Sequence, residues 1–214
     1  MDKGAIILPP QLFASTGYYA LMMSSDYVAI DYDLRFDKRF KSVHRYDIAD
    51  TRGLLQLTVP VSRRAGFFTD GGLKWSDIDV SAHGRWWEVH KTALESAYGR
   101  TPFFEYLFYK FEPLFDARSV GGGETICSLC SRADEIVRGV LGIRTKVISV
   151  EEALSMGAMD LRRREALEAA MPTVGPYYQV RADKLGFISG LSILDLIFNM
   201  GTEAPLSLKD CIKS

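Results

Sequence analysis

Two short apolar runs near the amino end of the chain flank a segment with helical spacing. The first run is "GAIIL", which is closed by two prolines, and the second is "YVAID". Between them, "GYYALMMSSD" repeats its apolar side chains with the period of a helix. A strand, a helix and a second strand in this order predict two parallel strands joined by a right-handed crossover. Ligands of such sheets gather at the carboxyl ends of the strands, here the loop 9–16 and the segment after Asp31.

Farther along, the pattern alternates between strand and helix. "GLLQLTVPV" has apolar side chains at every second position and predicts a strand. A helix is predicted over about 84–98, and a second one begins at Pro102 and is bent or ended by Pro113. After about residue 124 the periods are mainly helical. The exceptions are a strand at "TKVISV" and an apolar helix, "LSILDLIFNMG", which ends at Gly201.

These elements predict the α/β class, with a Rossmann-like parallel or mixed sheet flanked by helices and a mainly helical C-terminal part. We expect one domain over 1–214, with an α/β core at 1–118 and the helical part at 124–214. The joint between them is the glycine-rich stretch "SVGGGE". Its three glycines lack the spacing of a phosphate-binding loop and are interpreted as a linker.

Composition narrows the class of protein. The 214 residues carry a net charge of −1, which argues against a nucleic-acid partner. No apolar run approaches the roughly 18 residues of a spanning helix, and the start does not resemble a signal peptide. The three cysteines are too few for a disulfide framework, so we expect a cytoplasmic protein with reduced thiols.

The motif Cys127-Ser-Leu-Cys130 has the spacing of a metal or redox site, but its context does not support either. A zinc site needs a second pair of ligands, and the sequence has neither a second CxxC nor an HxxxH. The motif also lies inside a helical pattern. We therefore interpret both cysteines as buried packing residues and predict neither metal nor cofactor.

The segment 83–107, "HGRWWEVHKTALESAYGRTPFFEYL", places tryptophans, histidines and charged side chains in one helix and its exit. At 100° per residue, one stripe is apolar and is predicted to face the core. Its members are Trp86, Val89, Ala93 and Ala97. The adjacent stripe consists of Trp87, Lys91, Glu95 and Tyr98. Two interpretations stay open: a core helix with a solvated Lys91–Glu95 pair, or a helix whose second stripe lines a cleft together with His90.

The segment 33–48, "DLRFDKRFKSVHRYDI", is dense in cations. It also has two interpretations, as a solvated pair of strands or as a binding site for a phosphate or carboxylate. Arginine supports the second one because its guanidinium is a planar fork of donors.

Together these segments resemble the WbqC family, which is found in bacterial surface-polysaccharide gene clusters. The resemblance rests on "LPPQLFASTGYYAL", "SDYVAIDYD", "DKRFKSVHRYDI", "LLQLTVPV", the tryptophan-histidine block and the "LSILDLIFNMG" ending. It extends over nearly the whole chain. Relatives usually carry an Asn-Arg pair where this chain has His44-Arg45. The resemblance implies transfer of an aminoacyl or acyl group to an amino-sugar of a surface polysaccharide.

We therefore expect a transferase that acts on a nucleotide-sugar or glycan precursor, with an acyl or aminoacyl donor. The candidate catalytic residues are His90, His44 and Glu95. The candidate substrate-binding residues are Lys38, Arg39, Arg45, Trp87, Lys91 and Tyr98. Near neutral pH a histidine can take a proton from the attacking group, whereas arginines can hold a diphosphate and aromatic rings can stack on a sugar.

The alternative is a non-catalytic binding module for a glycan precursor or a partner enzyme. Such a module keeps the aromatic and cationic side chains but needs no base. An enzyme should place a histidine or glutamate beside the cations in a closed cleft, whereas a module should present an open aromatic surface. The sequence does not specify the oligomeric state.

Overall fold

The computed structural model describes residues 4–63, 72–117 and 123–210; the first two glycines of the predicted linker lie outside these ranges. Its strands are β1 (Ala5–Leu8), β2 (Tyr27–Ile30), β3 (Arg45–Asp50), β4 (Gly53–Thr58), β5 (Val61–Arg63), β6 (Ile78–Val80), β7 (Lys146–Val147) and β8 (Met159–Asp160). Its helices are α1 (Thr16–Met23), α2 (Trp86–Tyr98), α3 (Phe104–Phe111), α4 (Ile126–Leu141), α5 (Val150–Ser155), α6 (Arg164–Ala170), α7 (Ala182–Leu185), α8 (Ile193–Met200) and α9 (Ala204–Asp210). Within these ranges, no helix is both long and apolar enough to cross a membrane.

The central sheet is parallel and has the strand order β7-β2-β1-β8. Strand β1 is buried along its whole length, as expected for a parallel strand with helices on both faces. The predicted α/β class and the parallel pairing of β1 with β2 are confirmed. Hairpins β3-β4 and β5-β6 are separate antiparallel pairs.

The C-terminal part is mainly helical, but it also supplies both edge strands of the central sheet, β7 and β8. From β1 the chain adds β2 and then β7 on one side, and later places β8 on the other side. The direction in which strands are added therefore changes at β1, which makes the crevice between β1 and β8 a topological switch point.

Local sequence signals mark the ends of the helices. Helix α4 begins after Thr125, whose side chain accepts a hydrogen bond from the Ser128 backbone N–H at 3.1 Å. It ends at Gly142, which has the left-handed φ of 59° that glycine adopts without strain. Helix α3 is followed by a short 3₁₀ turn that contains Pro113.

The buried cysteines are confirmed as packing residues of α4. Cys127 and Cys130 are 4% and 1% exposed, and their thiols donate to the backbone oxygens of Tyr32 and Val43. Burial raises the pKa of the Cys127 thiol to about 12, so it is not a thiolate at neutral pH. Among the described residues, no group of three or more histidine, cysteine or carboxylate side chains is placed to hold a metal ion.

The predicted core stripe of α2 is wrong in its middle, where the buried residues lie one position after the predicted ones. Val89 is 56% exposed, although Trp86 and Ala97 are buried as expected. The buried face instead runs through Trp86, His90, Leu94, Ala97 and Tyr98. This face follows the spacing i, i+4, i+8, and His90, which the sequence analysis placed at a cleft, lies in the core instead.

Candidate functional site

His90 lies inside an aromatic cluster rather than on a cleft, with 2% of its surface exposed. Its Nε2 contacts the Thr58 backbone oxygen at 3.2 Å, and its Nδ1 contacts the Tyr46 hydroxyl at 3.0 Å. A carbonyl oxygen only accepts, so Nε2 carries the proton and Nδ1 accepts from Tyr46. Burial lowers the pKa of His90 to about 4. Both ring nitrogens are occupied by the fold, which leaves no lone pair for a substrate proton.

Tyr98 is also buried, contrary to the expectation that it lines a substrate cleft. It is 1% exposed, and its ring packs against Phe198 at a centroid distance of 5.4 Å. The cavity that it borders has a volume of about 10 Å³, which holds no more than a water molecule. No sugar ring can stack on Tyr98 in this arrangement.

The other three predicted residues of this helix do come together. Trp87, Lys91 and Glu95 line an open groove of about 740 Å³ between α2, α3 and the 112–117 segment, which we call the α2–α3 groove. Lys91 Nζ donates to Glu112 at 2.9 Å, so the expected Lys91–Glu95 pair is replaced by a contact between elements. That hydrogen bond raises the pKa of Lys91.

His44 is half-buried at the start of β3. Its Nδ1 lies 3.0 Å from the Val59 backbone oxygen, and its ring lies 6.2 Å from that of Trp75. Because the carbonyl accepts, Nδ1 carries the proton and Nε2 keeps its lone pair. Burial lowers the pKa of His44, so its ring is neutral at neutral pH. His44 thus keeps the chemistry of a base, which His90 does not.

The crevice at the switch point opens into a cavity of about 440 Å³, which we call the loop cavity. It is enclosed by the loop 11–15 after β1, the segments 39–42 and 45–47, helix α6 and residues 190 and 192. The predicted anion-binding residues Arg39 and Arg45 both line it, together with Lys41 and Arg164. The structure therefore brings together two of the three cations predicted in segment 33–48; the third, Lys38, is exposed and does not line this cavity.

The alternation of β3 explains how Arg45 reaches the loop cavity. Tyr46 and Ile48 are buried, whereas Arg45 and Asp47 are only partly buried and lie on the opposite face of the strand. Arg45 donates to Gln56 through Nη1 at 3.2 Å, and Gln56 in turn donates to Asp47 at 3.0 Å. The Nε of Arg45 is buried and has no acceptor among the described residues, which leaves this donor unsatisfied.

The loop after β1 contains backbone strain. Phe13 has a φ of 44°, a left-handed value that costs a bulky residue about 1–3 kcal/mol. Aromatic packing offsets this cost, because the buried ring of Phe13 contacts Tyr46 at 4.9 Å and Phe115 at 5.9 Å. Strain of this kind is common at functional sites, and here it lies on the wall of the loop cavity.

A second cavity of about 370 Å³ adjoins the loop cavity, and we call it the arginine cavity. It shares Arg39, Phe40 and Arg164 with the loop cavity. Its lining comes from segment 34–40, Trp75 and segment 162–165. The sequence analysis assigned segment 162–165 to the helical part, and Arg164 and Glu165 do lie in α6, but it did not name the segment as part of a site. The run of three arginines in "DLRRREAL", directly after a strand, is the signal that could have found it.

Arg162 is held at the carboxyl edge by two carboxylates from different strands. Its Nη1 donates to Asp31 at 2.8 Å, directly after β2, and its other nitrogens bind Asp160 at the end of β8. These hydrogen bonds raise the pKa of Arg162 and lower that of Asp160. The contacts fix the backbone from which Arg163 and Arg164 extend.

The α2–α3 groove and the two edge cavities have no lining residue in common. Within the part of the chain that the structure describes, the predicted Trp/His helix and the predicted cation cluster meet in the core, where Tyr46 of β3 donates to His90 of α2. The candidate site is therefore the pair of cavities at the carboxyl edge of the sheet.

A family model for the WbqC-like protein family matches residues 10–171. The matched stretch includes every cation of the two edge cavities and the whole of α2, but it ends before the apolar ending 191–201. No match was found among curated proteins or among solved structures. Because the model covers well over half of the chain in one continuous stretch, the chain belongs to the WbqC-like protein family.

Proposed function

We propose that the protein is a transferase of surface-polysaccharide biosynthesis that acts on a nucleotide-sugar or related glycan precursor. The observation that carries this proposal is the presence of Arg39 and Arg45 in one cavity at the switch point of a parallel sheet. Guanidinium groups bind phosphate oxygens through paired N–H donors, so the cavity suits an anionic precursor. The transferred group, aminoacyl or acyl, follows from what the family resemblance implies.

The reaction needs a base beside the anion site. The amine of an amino-sugar attacks the acyl carbonyl, a C–N bond forms, and the leaving group departs with its electron pair. The amine must lose one proton in this step. Asp47 lines the loop cavity on the same strand face as Arg45, and we assign it this role. His44 is the second candidate, because its Nε2 keeps a lone pair.

The α2–α3 groove is outside the proposed reaction. Trp87, Lys91 and Glu95 border no part of the loop cavity, in which we place the substrate. His90, which the sequence analysis named as a catalytic candidate, has a structural role: it accepts a hydrogen bond from Tyr46 in the core.

Binding is tested by calorimetric titration with nucleotide-sugars, after thermal-shift screening has identified the best one. A ligand that binds only the folded state stabilises it by about 2.7 kcal/mol at a hundredfold over its Kd. We expect Arg45→Ala to weaken binding by about 1.5–3 kcal/mol, the range for a charged hydrogen bond. Arg52→Ala is the matched control, since Arg52 is exposed on the β3-β4 turn and pairs with Asp50 at 3.6 Å. Equal affinity of Arg45→Ala and wild type would refute the assignment.

Turnover is tested with the same nucleotide-sugar, an acyl or aminoacyl donor, and mass detection of the acylated product. We expect Asp47→Asn to bind the nucleotide-sugar as wild type does and to form product at least about a hundredfold more slowly, the range for a lost general base. If Asp47→Asn turns over normally while His44→Gln does not, the base is His44.

One observation favours a binding module as the second candidate function. Both nitrogens of His90 are occupied, and His44 lines neither the loop cavity nor the arginine cavity. Binding of the nucleotide-sugar that depends on Arg45, without product from any donor tested, would support the module and reject the transferase.

A further inference from the structure

The arginine cavity concentrates positive charge in a chain whose net charge is −1. Its lining includes Arg35, Arg39, Arg162, Arg163 and Arg164, against the two carboxylates Asp37 and Glu165, a formal charge of +3 for the lining alone. Asp31 and Asp160, which bind Arg162 from outside the lining, lower the sum to +1. These arginines come from two chain segments more than 120 positions apart. Like charges gathered in this way repel each other unless an anion lies between them.

We propose that the arginine cavity is a diphosphate subsite, which holds the two linked phosphoryl groups of the precursor while its sugar end occupies the loop cavity. This inference rests on the proposed function, and it names the substrate class as a diphosphate-linked sugar. It also assigns phosphate recognition to the arginines that line this cavity together with Trp75, in place of Lys38 and Arg45.

The ion pairs of the cavity separate fixed arginines from available ones. Arg162 is bound by Asp31 and Asp160, and Arg39 by Asp37 at 3.0 Å. The Nε of Arg164 is 3.8 Å from the Glu168 carboxylate, which is long for an ion pair. Both side chains are more than half exposed, so this pair is weak. Neither Arg35 nor Arg163 forms an ion pair with any other residue that the structure describes. Three guanidinium groups are therefore available to phosphate oxygens.

Trp75 supplies a second, independent observation. It is 1% exposed and lines the cavity, and its indole Nε1 is buried without a hydrogen-bond acceptor among the described residues. A buried N–H without an acceptor is unfavourable, and native structures seldom leave one unexplained. Phosphate oxygens only accept hydrogen bonds, so a phosphoryl group that reaches Nε1 from this cavity would satisfy the indole.

The shared wall explains why one ligand would occupy both cavities. Arg39, Phe40 and Arg164 border the loop cavity on one side and the arginine cavity on the other. A single phosphate needs one or two guanidinium forks, whereas two linked phosphates can use all three available ones. A diphosphate at this wall directs its sugar into the loop cavity, towards Arg45 and Asp47.

The test is calorimetric titration of the full chain with inorganic pyrophosphate and with orthophosphate, at constant ionic strength. We expect pyrophosphate to bind at least about tenfold more tightly than orthophosphate. We expect Arg35→Ala and Arg163→Ala each to weaken pyrophosphate binding by about tenfold or more, the loss of a charged hydrogen bond. Both side chains are exposed, so both variants should fold; Arg52→Ala should bind pyrophosphate as wild type does.

Trp75→Phe tests the indole donor, because it removes the N–H and keeps an aromatic ring. We expect weaker pyrophosphate binding at an ionic strength where the folded fraction, followed by circular dichroism, is unchanged. Equal affinities for pyrophosphate and orthophosphate, or pyrophosphate binding that is indifferent to both Arg35→Ala and Arg163→Ala, would overturn the inference.

Two further ligands identify the source of the diphosphate. Uridine diphosphate and a short-chain, water-soluble prenyl diphosphate are titrated into wild type and Arg35→Ala. Arg35-dependent binding of either one supports the subsite, and the tighter of the two identifies a nucleotide-linked or a lipid-linked precursor. Failure of both ligands to compete with pyrophosphate would overturn the assignment of this cavity to the substrate.

The inference and the proposed function fail in different ways. Nucleotide-sugar binding that requires Arg45 but not Arg35, with no pyrophosphate binding, removes the subsite and leaves the transferase. Pyrophosphate binding that requires Arg35, with no group transfer from any donor, leaves the subsite and removes the transferase.

Discussion

The sequence analysis named candidate site residues both in helix α2 and at the carboxyl edge of the sheet, but the two regions differ in burial and charge. Helix α2 places its histidine and one tryptophan in the core and presents an acidic groove, where Glu88, Glu95, Glu112 and Asp116 outnumber Lys91 among the described lining residues. The edge cavities are lined by seven cations and four carboxylates, a formal charge of +3. The comparison separates packing from charge: α2 packs the fold, whereas the edge cavities are lined by more cations than carboxylates.

The largest expected effect is on α2. Trp86→Ala should lower the free energy of unfolding by about 3–5 kcal/mol, because a large buried ring that packs against His90 and Phe115 is lost. Urea denaturation measures this change. Trp87→Ala, one position away and only partly buried, is the control and should cost much less. If both variants lose the same stability, α2 does not divide into a core face and a groove face.

The second effect is acid destabilisation through His90. Its pKa is about 4 in the folded chain and about 6.5 in the unfolded chain, so the unfolded state binds more protons between these values. Stability is therefore complete above about pH 6.5 and is lost as the pH falls towards 4, by up to about 3 kcal/mol. When the free energy of unfolding is measured by denaturation at several pH values across this range, it should change less with pH for His90→Gln than for wild type. His83→Gln, which alters an exposed histidine, should follow the wild-type curve.

The third effect is on the edge, without a large change in stability. Arg164→Glu should weaken nucleotide-sugar binding by at least about 1.5–3 kcal/mol, since Arg164 lines both cavities and its side chain is exposed. Denaturation should place its stability within about 0.5 kcal/mol of wild type, as for other surface substitutions. Unchanged affinity by calorimetry would show that the edge charge is a solvated face.

The smallest expected effect concerns the α2–α3 groove. Lys91→Ala removes a partly exposed ion pair with Glu112 and should cost about 1 kcal/mol or less. It should leave nucleotide-sugar affinity unchanged, because the groove and the edge cavities are separate. A loss of affinity comparable with that of Arg164→Glu would join the two regions into one site and restore the cleft that the sequence suggested.

Local patterns predicted the elements well, because they depend on neighbours within a few positions. The alternation in β4, the helical period of α2, the interruption at Pro113 and the end of α8 at Gly201 were all confirmed. The error at Val89 has a local cause as well. A histidine was assumed to face solvent, although two hydrogen bonds let it replace an apolar side chain in the core.

The candidate site was predictable only in part. Arg39 and Arg45 could be named because a dense run of cations is visible in the sequence. Arg164 could not be linked to them, because it lies more than 110 positions beyond Arg45 and reaches the cavity only through the pairing of β8 with β1. Likewise, nothing local indicates that Trp75 closes the arginine cavity.

The sequence by itself determined the α/β class, the parallel β1-α1-β2 unit and the presence of a cation-rich segment, since periodicity and local charge are properties of adjacent residues. Only the tertiary structure decided which cations share a cavity, which face of α2 is buried and that His90 is locked by Tyr46 and Thr58. Strand order and side-chain contacts across the core join residues that are distant in sequence. The hydrogen bonds and electrostatic interactions that define a site depend on those contacts.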